Sequence, residues 1–295
     1  LLIPAIISFL FDNFSKDYSS GEFEGKEYKI SSNKKRDVIL TTFVYLIIAF
    51  IFLILGSFIY YAFVNNPVID NTLSFKHFEY IIDNNISKYI FNSLFIALLV
   101  AIFGTIMAYF AAYTTARIKG KSAKIIHILT IISLAIPGIV LGLSYSIGFR
   151  DSFIYNTFII MIIVNIIHFI ASPYLMAYNA LEKVNPNYEV VAKTCNISTF
   201  RIIMDVIIPC TKKTIREMLA YFFVNSMVTI SAITFLFNTK TMPLSLLINN
   251  YEGNMMLGEA AIISLIILFF NVIVKGIIYI INRKESRRSI NEYNI

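Results

Sequence analysis

Charge is scarce in this 295-residue sequence: Asp, Glu, Lys and Arg make up 15% of it, where an ordinary soluble domain carries about 25%. Apolar residues reach 57%. That imbalance excludes a single water-soluble core, because so much apolar surface has no interior to fill; lipid is the solvent it fits. Cysteine is nearly missing. Cys195 and Cys210 stand at no metal or redox spacing and read as packing residues in a reducing compartment. Histidine is limited to His77, His127 and His168, which do not cluster, so no metal and no cofactor is expected. The apolar start LLIPAIISFLF lacks the basic region of a signal peptide, and none is expected.

What is present is a series of long apolar runs. Six spans are expected, at Val38–Val64, Tyr89–Ala116, Ile125–Phe149, Phe153–Ala180, Met218–Phe237 and Ala260–Ile281. Each meets or exceeds the ~20 residues a helix needs to cross the hydrocarbon core. Their one charge is Lys275, near the end of the last span, where it can snorkel to the interface. The chain is therefore expected to be all-α, polytopic and embedded in lipid.

The basic residues set an orientation. Residues 12–37, the 117–124 loop, the 181–217 loop and the tail hold 20 Lys/Arg, whereas the alternate connections hold 4. The positive-inside rule then puts both ends of this segment in the cytoplasm. It also accounts for the net charge of +7 without nucleic acid. Residues 1–11 read as the tail of an earlier transmembrane helix, or else a surface helix. Residues 12–37 read as a cytoplasmic linker after a preceding membrane domain, 38–281 as the six-span domain, and 282–295 as a cytoplasmic tail.

The loop at 181–216 is long and patterned. Tyr188, Val191, Ala192 and Cys195 recur at helical spacing before Asn196, and Phe200, Ile203, Met204 and Ile207 do so after it. Asn tolerates the left-handed conformation that a turn between two helices needs. The loop should thus be a helix–turn–helix at the cytoplasmic face.

These residues resemble the EAA loop of ABC importer permeases, whose pattern is E-A-A, three residues, Gly, nine residues, I-x-L-P. Asn196 takes the Gly position, Val206, Ile208 and Pro209 fall in register for I-x-L-P, and Ala192 matches the second Ala. Val190 and Val191 depart from E-A, with the carboxylate one position earlier at Glu189. The resemblance implies a six-helix, MetI-like transmembrane domain. It also implies that Tyr188, Glu189, Ala192, Cys195, Asn196, Phe200 and Pro209 form the loop that docks on a cytoplasmic ATPase dimer. An amphipathic helix lying on lipid headgroups is the alternative. Implied partners are that ATPase, an extracytoplasmic solute-binding protein and a second permease half. The stretch Ile136–Tyr145 and the Asn92-Ser93-Leu94 run are similar to permeases for ferric iron and 2-aminoethylphosphonate, often fused pairs of six-helix halves. Thiamine, polyamine or sulfate permeases, or a non-transporting membrane scaffold, are the other readings.

Other chemistry has little to stand on. No Asp or Glu lies within the spans, whereas proton- and sodium-coupled carriers use ionisable groups at membrane depth. Gly120-Lys121-Ser122 mimics the end of a Walker A loop, but the earlier Gly is Thr115. No catalytic set is recognisable, and ATP hydrolysis is expected in a partner. Polar span residues remain: Asn165 and His168 share one face of the fourth span, and Asn225 and Thr229 lie in the fifth. They read as interhelical hydrogen-bonding groups or as a pathway lining. Pro137-Gly138 reads as a kink or a hinge. The orientation has a direct check: a cysteine placed at Ser198 should resist an impermeant maleimide added outside intact cells, and efficient labelling would invert the topology.

Overall fold

The computed structural model describes residues 33–66, 70–118 and 120–293. The expectations for 1–11 and for the linker up to residue 32 lie outside these, as does Lys119. The first helix, α1 (Lys34–Phe63), starts where the Asn33 side chain accepts from the Arg36 N–H at 3.4 Å and Asp37 sits in the first turn, both favourable at a helix N-terminus. It is apolar all round, and none of its most apolar window is buried. A short antiparallel pair, β1 (Val64–Asn66) with β2 (Asp70–Leu73), and the amphipathic α2 (Lys76–Asp83) lead on to α3 (Ile86–Arg117).

Helix α3 is the centre of the bundle. Its buried stripe of Ala97, Ala101, Gly104, Ala108 and Ala112 is small enough for neighbouring helices to approach closely. α4 (Lys121–Ile132) and a 3₁₀ turn (Ser133–Ala135) lead to α5 (Gly138–Gly148). α6 (Phe158–Phe169) and α7 (Ala171–Glu182) follow. The loop contains α8 (Asn187–Thr194) and α9 (Thr199–Ile202), which passes through a π turn (Ile203–Ile207) into α10 (Ile208–Val228). The chain ends with α11 (Leu244–Gly253) and α12 (Leu257–Tyr293). α10 and α7 pack against α3, while α11 and the C-terminal part of α1 pack against α12.

The third expected span is not one rod. Pro137 has no N–H and forces Ile136 into an extended conformation (φ −92°, ψ 117°), so α4 and α5 meet at 108°. The fourth span bends by 53° between α6 and α7, where Pro173 cannot donate to the helix. The fifth expected span, Met218–Phe237, is displaced: the helix is Ile208–Val228, and 229–243 is turn and loop. Apolarity misplaced it, since buried turn residues such as Ala232, Ile233 and Leu236 look like span residues, and Lys212, Lys213, Arg216 and Glu217 hid the true start. Among the described residues, three helices are long and apolar enough to cross a membrane, or five if each bent pair is one span. The packing expectation for Cys195 and Cys210 fails as well, since both are exposed.

At the end away from the loop, His77 of α2 ties two elements together: its Nδ1 lies 3.0 Å from Glu259 Oε1 of α12 and its Nε2 lies 3.1 Å from the Val64 carbonyl oxygen. The central helices approach closely at Gly104, where a Cβ would lie 2.8 Å from the ring of Phe222 of α10, a side chain with no exposed surface. Gly104→Ala should lower thermal stability by about 1–3 kcal/mol, because a closely packed ring must move. Gly56→Ala on α1, which would meet nothing within 4 Å, should not. Equal melting of the two variants in detergent would show that α3 and α10 can separate at little cost.

Candidate functional site

The loop between α7 and α10 is built by local hydrogen bonding. Asn185 Oδ1 accepts from the Asn187 N–H at 2.9 Å and opens α8. Its far end closes with the Ile197 N–H donating to the Ala192 carbonyl at 2.8 Å and the Asn196 N–H donating to the Lys193 carbonyl at 3.2 Å. Asn196 has φ 56°. That is a Schellman closure with Asn in the left-handed position, which is why a residue other than Gly fits there. Ser198 then caps α9 by accepting from the Arg201 N–H. The π turn before Pro209 lets the helix run on past a residue with no N–H to give.

Helix α8 has two faces. Inward, Ala192 is 5% exposed. Glu189 beside it is not offered to an outside partner, contrary to expectation. Its Oε1 lies 3.3 Å from Arg117 Nε, with side chains 20% and 8% exposed, and accepts from the Tyr113 hydroxyl at 3.1 Å. Arg117 also donates to the Val184 carbonyl at 2.8 Å. The last turn of α3 therefore holds the loop at its entrance and at its helix. Arg117 Nε makes no aligned hydrogen bond, so its contact with Glu189 is ionic rather than directional.

Outward, Tyr188 is 50%, Val191 58% and Phe200 69% exposed. Val190, Ile197 and Met204 extend this surface, and Cys195 is exposed beside it. The expected stripe of Tyr188, Val191, Ala192 and Cys195 thus splits, with only Ala192 turned in. Ile203 and Ile207 are buried while Phe200 and Met204 face out. A contiguous apolar face of this kind marks a protein or membrane contact.

A second locus lies where the broken helices meet. A Cβ on Gly138 would lie 3.1 Å from the His168 ring and would clash with Ser231 Oγ, and one on Gly142 would clash with the Ala232 carbonyl oxygen. The break at Pro137, the end of α6 and the loop after α10 thus converge. His168 Nδ1 and Asn165 Oδ1 are buried without a partner among the described residues. Asn165 donates only to the Met161 carbonyl of its own helix, at 3.0 Å. Asn225 does not join this group. It donates to the Tyr221 carbonyl at 2.8 Å and lines a cavity with Lys275. Thr229 caps α10 and its carbonyl accepts from Ser245 Oγ at 2.7 Å. The expected interhelical hydrogen bonds are therefore not made by Asn165 or Asn225.

The Asn92-Ser93 pair has a structural duty. Asn92 Nδ2 donates to the Lys240 and Met242 carbonyls, each at 2.9 Å, and Ser93 Oγ accepts from the Leu244 N–H at 2.6 Å. Sequence reading missed Arg117 and Tyr113 as site residues. Arg117 was visible only as one more positive charge at a helix end, and nothing local connects it to Glu189 across the intervening chain.

The sequence profile described as "Binding-protein-dependent transport system inner membrane component" matches residues 104–287. The ferric transport system permease protein FbpB of Actinobacillus pleuropneumoniae is 28% identical over 245 residues, 77% of this chain and 35% of that protein. The putative ferric transport system permease protein FbpB 1 of Haemophilus influenzae is 27% identical over 192 residues, 63% of this chain and 30% of that one. This chain spans about a third of the length of these curated relatives. Its fold is similar to that of a bacterial ABC transporter involved in the import of the acidic polysaccharide alginate, at TM-score 0.66 and 18% identity, over 86% of this chain and 96% of that one. It is also similar to an amino acid ABC transporter, at TM-score 0.54 and 19% identity, over 72% and 99%. The profile covers more than half of the chain, from within α3 into the last turns of α12, and the chain belongs to the family of binding-protein-dependent transport system inner membrane components.

Proposed function

We propose that this chain is one membrane half of an ATP-driven importer that passes a small solute from an extracytoplasmic binding protein into the cytoplasm. Its α8–α9 loop docks on a cytoplasmic ATPase dimer, which supplies the hydrolysis, and a second permease half completes the pathway. The observation that carries this reading is the two-faced α8: apolar and exposed outward, and held inward to α3 by the Glu189–Arg117 ion pair. Movement of a docked subunit is then delivered to the central helix of the bundle. Ferric iron is the solute that the named relatives support; 2-aminoethylphosphonate rests on the sequence resemblance alone. Pro137, Gly138, Asn165 and His168 line the pathway in this reading, with Ser231 added by the packing at Gly138; Asn225 and Thr229 stand apart from it. Broken helices with unpaired polar atoms are tolerated at membrane depth where they face protein or a wet passage. Radiolabelled iron uptake by cells with and without the gene tests the solute. Unchanged iron uptake alongside loss of another solute would replace ferric iron and leave the importer reading intact.

The loop geometry gives two sharper tests. Asn196→Gly should preserve solute-stimulated ATP hydrolysis, because Gly adopts the left-handed conformation freely. Asn196→Val should lower it, with roughly 1–2 kcal/mol of backbone strain placed in the loop. If all three proteins co-purify with the ATPase and hydrolyse alike, the loop is a surface amphipath.

The ion pair should respond to charge exchange. Glu189→Arg and Arg117→Glu each leave like charges together in a sheltered site; breaking one partner of such a pair costs about 3–5 kcal/mol when fully buried, and less here because Glu189 is partly exposed. Each should uncouple hydrolysis from uptake while the bundle still melts cooperatively. The double exchange should recover part of the coupling, and no recovery would show that Glu189 acts on something other than Arg117.

A further inference from the structure

The face between α10 and α12 carries a feature that loop docking and solute passage leave unused. Two cavities lie side by side there. The inner one, about 400 Å³, is walled mainly by apolar and aromatic side chains, among them Met176, Tyr221, Val224 and Ile278. The outer one, about 620 Å³, is lined by Lys212, Lys213, Arg216 and Arg283. Glu217, Tyr279 and Asn282 line both, so the two are one groove, apolar along its length and basic at its mouth.

The charges at the mouth are partly committed. Glu285 is held by Arg216 through two hydrogen bonds and by Lys212 at 3.3 Å, and Arg216 Nε also donates to Asn282 Oδ1 at 2.7 Å. Lys213 and Arg283 are exposed at the same mouth with no acidic partner among the described residues. Lys275 adds a cation to the inner cavity. Over the whole groove five cations face two acids, Glu217 and Glu285.

A ligand that fits must be anionic at one end and apolar along the rest. A free anion would account for the mouth and leave the apolar chamber empty. An apolar helix from another protein would account for the chamber and leave Lys213 and Arg283 without counter-charge. We propose that the groove between α10 and α12 holds one anionic phospholipid, with its phosphate at the mouth lined by Lys213 and Arg283 and an acyl chain along Tyr221, Val224 and Ile278. Basic pockets between transmembrane helices bind anionic headgroups on the cytoplasmic side, the side to which the Lys/Arg distribution assigns this end of the bundle. Because α10 is the direct continuation of the docking loop, the lipid braces the helix that follows the loop against α12.

The test uses the assembled transporter, with both permease halves and the ATPase, reconstituted in bilayers of mixed phosphatidylglycerol and phosphatidylcholine. After detergent delipidation, native mass spectrometry should find one phosphatidylglycerol retained per copy of this chain and no phosphatidylcholine. Lys213→Gln combined with Arg283→Gln should lower retention roughly tenfold or more, since each cation near an anionic headgroup contributes appreciably. Glu217→Gln removes the acid shared by the two chambers and should raise retention, a gain that a misfolded variant cannot mimic. Three results would overturn the proposal: retention unchanged in both variants, displacement of the lipid by inorganic phosphate, or retention only when the second permease half is left out. The last would make the groove a contact between halves.

Discussion

Every backbone N–H and C=O at membrane depth must find a partner inside the protein, because lipid offers none. That constraint shapes the rest of this structure. It explains why most of the described residues are helical and why irregular backbone between α10 and α11 is served by side chains of other elements. The 238–244 loop is the clearest case. Asn92 satisfies two of its carbonyls and Ser93 one of its N–H groups. Asn238 closes the turn from inside by accepting from the Lys240 and Thr241 N–H groups and donating to the Asn156 carbonyl. A motif that resembles a family signature thus has a plain physical duty: it makes irregular backbone affordable between α10 and α11.

The same constraint separates rigid parts from parts able to rearrange. α3 carries no proline and buries a stripe of small side chains against α10, and Tyr109 of α3 joins Thr211 in the first turn of α10 through a 2.8 Å hydroxyl contact. Thr115 and Tyr174 do the same between α3 and α7 at 2.8 Å. These three helices form one block, and Arg117 attaches the loop to that block. The breaks at Pro137 and Ile170 lie elsewhere, in α4–α5 and α6–α7, and they meet around Gly138, His168 and the loop after α10. In the proposed reading, a push at the loop reaches this block first. The bent helices beside it have unpaired polar atoms at Asn165 and His168.

How legible this was in the sequence depends on the period of the signal. α1, α3 and α12 were readable because long uniform apolarity needs no partner to interpret. The third and fourth spans were located but not their bends: Pro137 and Pro173 announce that something breaks, but residue type alone does not give the 108° and 53°. The fifth span was misplaced because a buried turn and a helix have the same composition. In the loop, the left-handed Asn196 followed from residue type and spacing. The direction of Glu189 did not, because its partner Arg117 is distant in sequence and no alignment of charges along one helix points to it.

The displaced carboxylate is the most informative departure from the family pattern. One residue along a helix is a rotation of about 100°. At position 190, where the pattern puts its Glu, this chain has Val190, and that side chain is exposed on the outer face. At position 189 the side chain points the other way, onto Arg117 and Tyr113. Moving the acid back by one residue therefore turns it from the exposed face to the bundle. The outer face that remains is largely apolar, and in the proposed reading affinity for a docked subunit comes chiefly from burying Tyr188, Val191 and Phe200. The ion pair is used instead to fix the helix on α3. In the proposed reading, docking and transmission fall on opposite faces of α8, an eight-residue helix closed by the Asn196 turn.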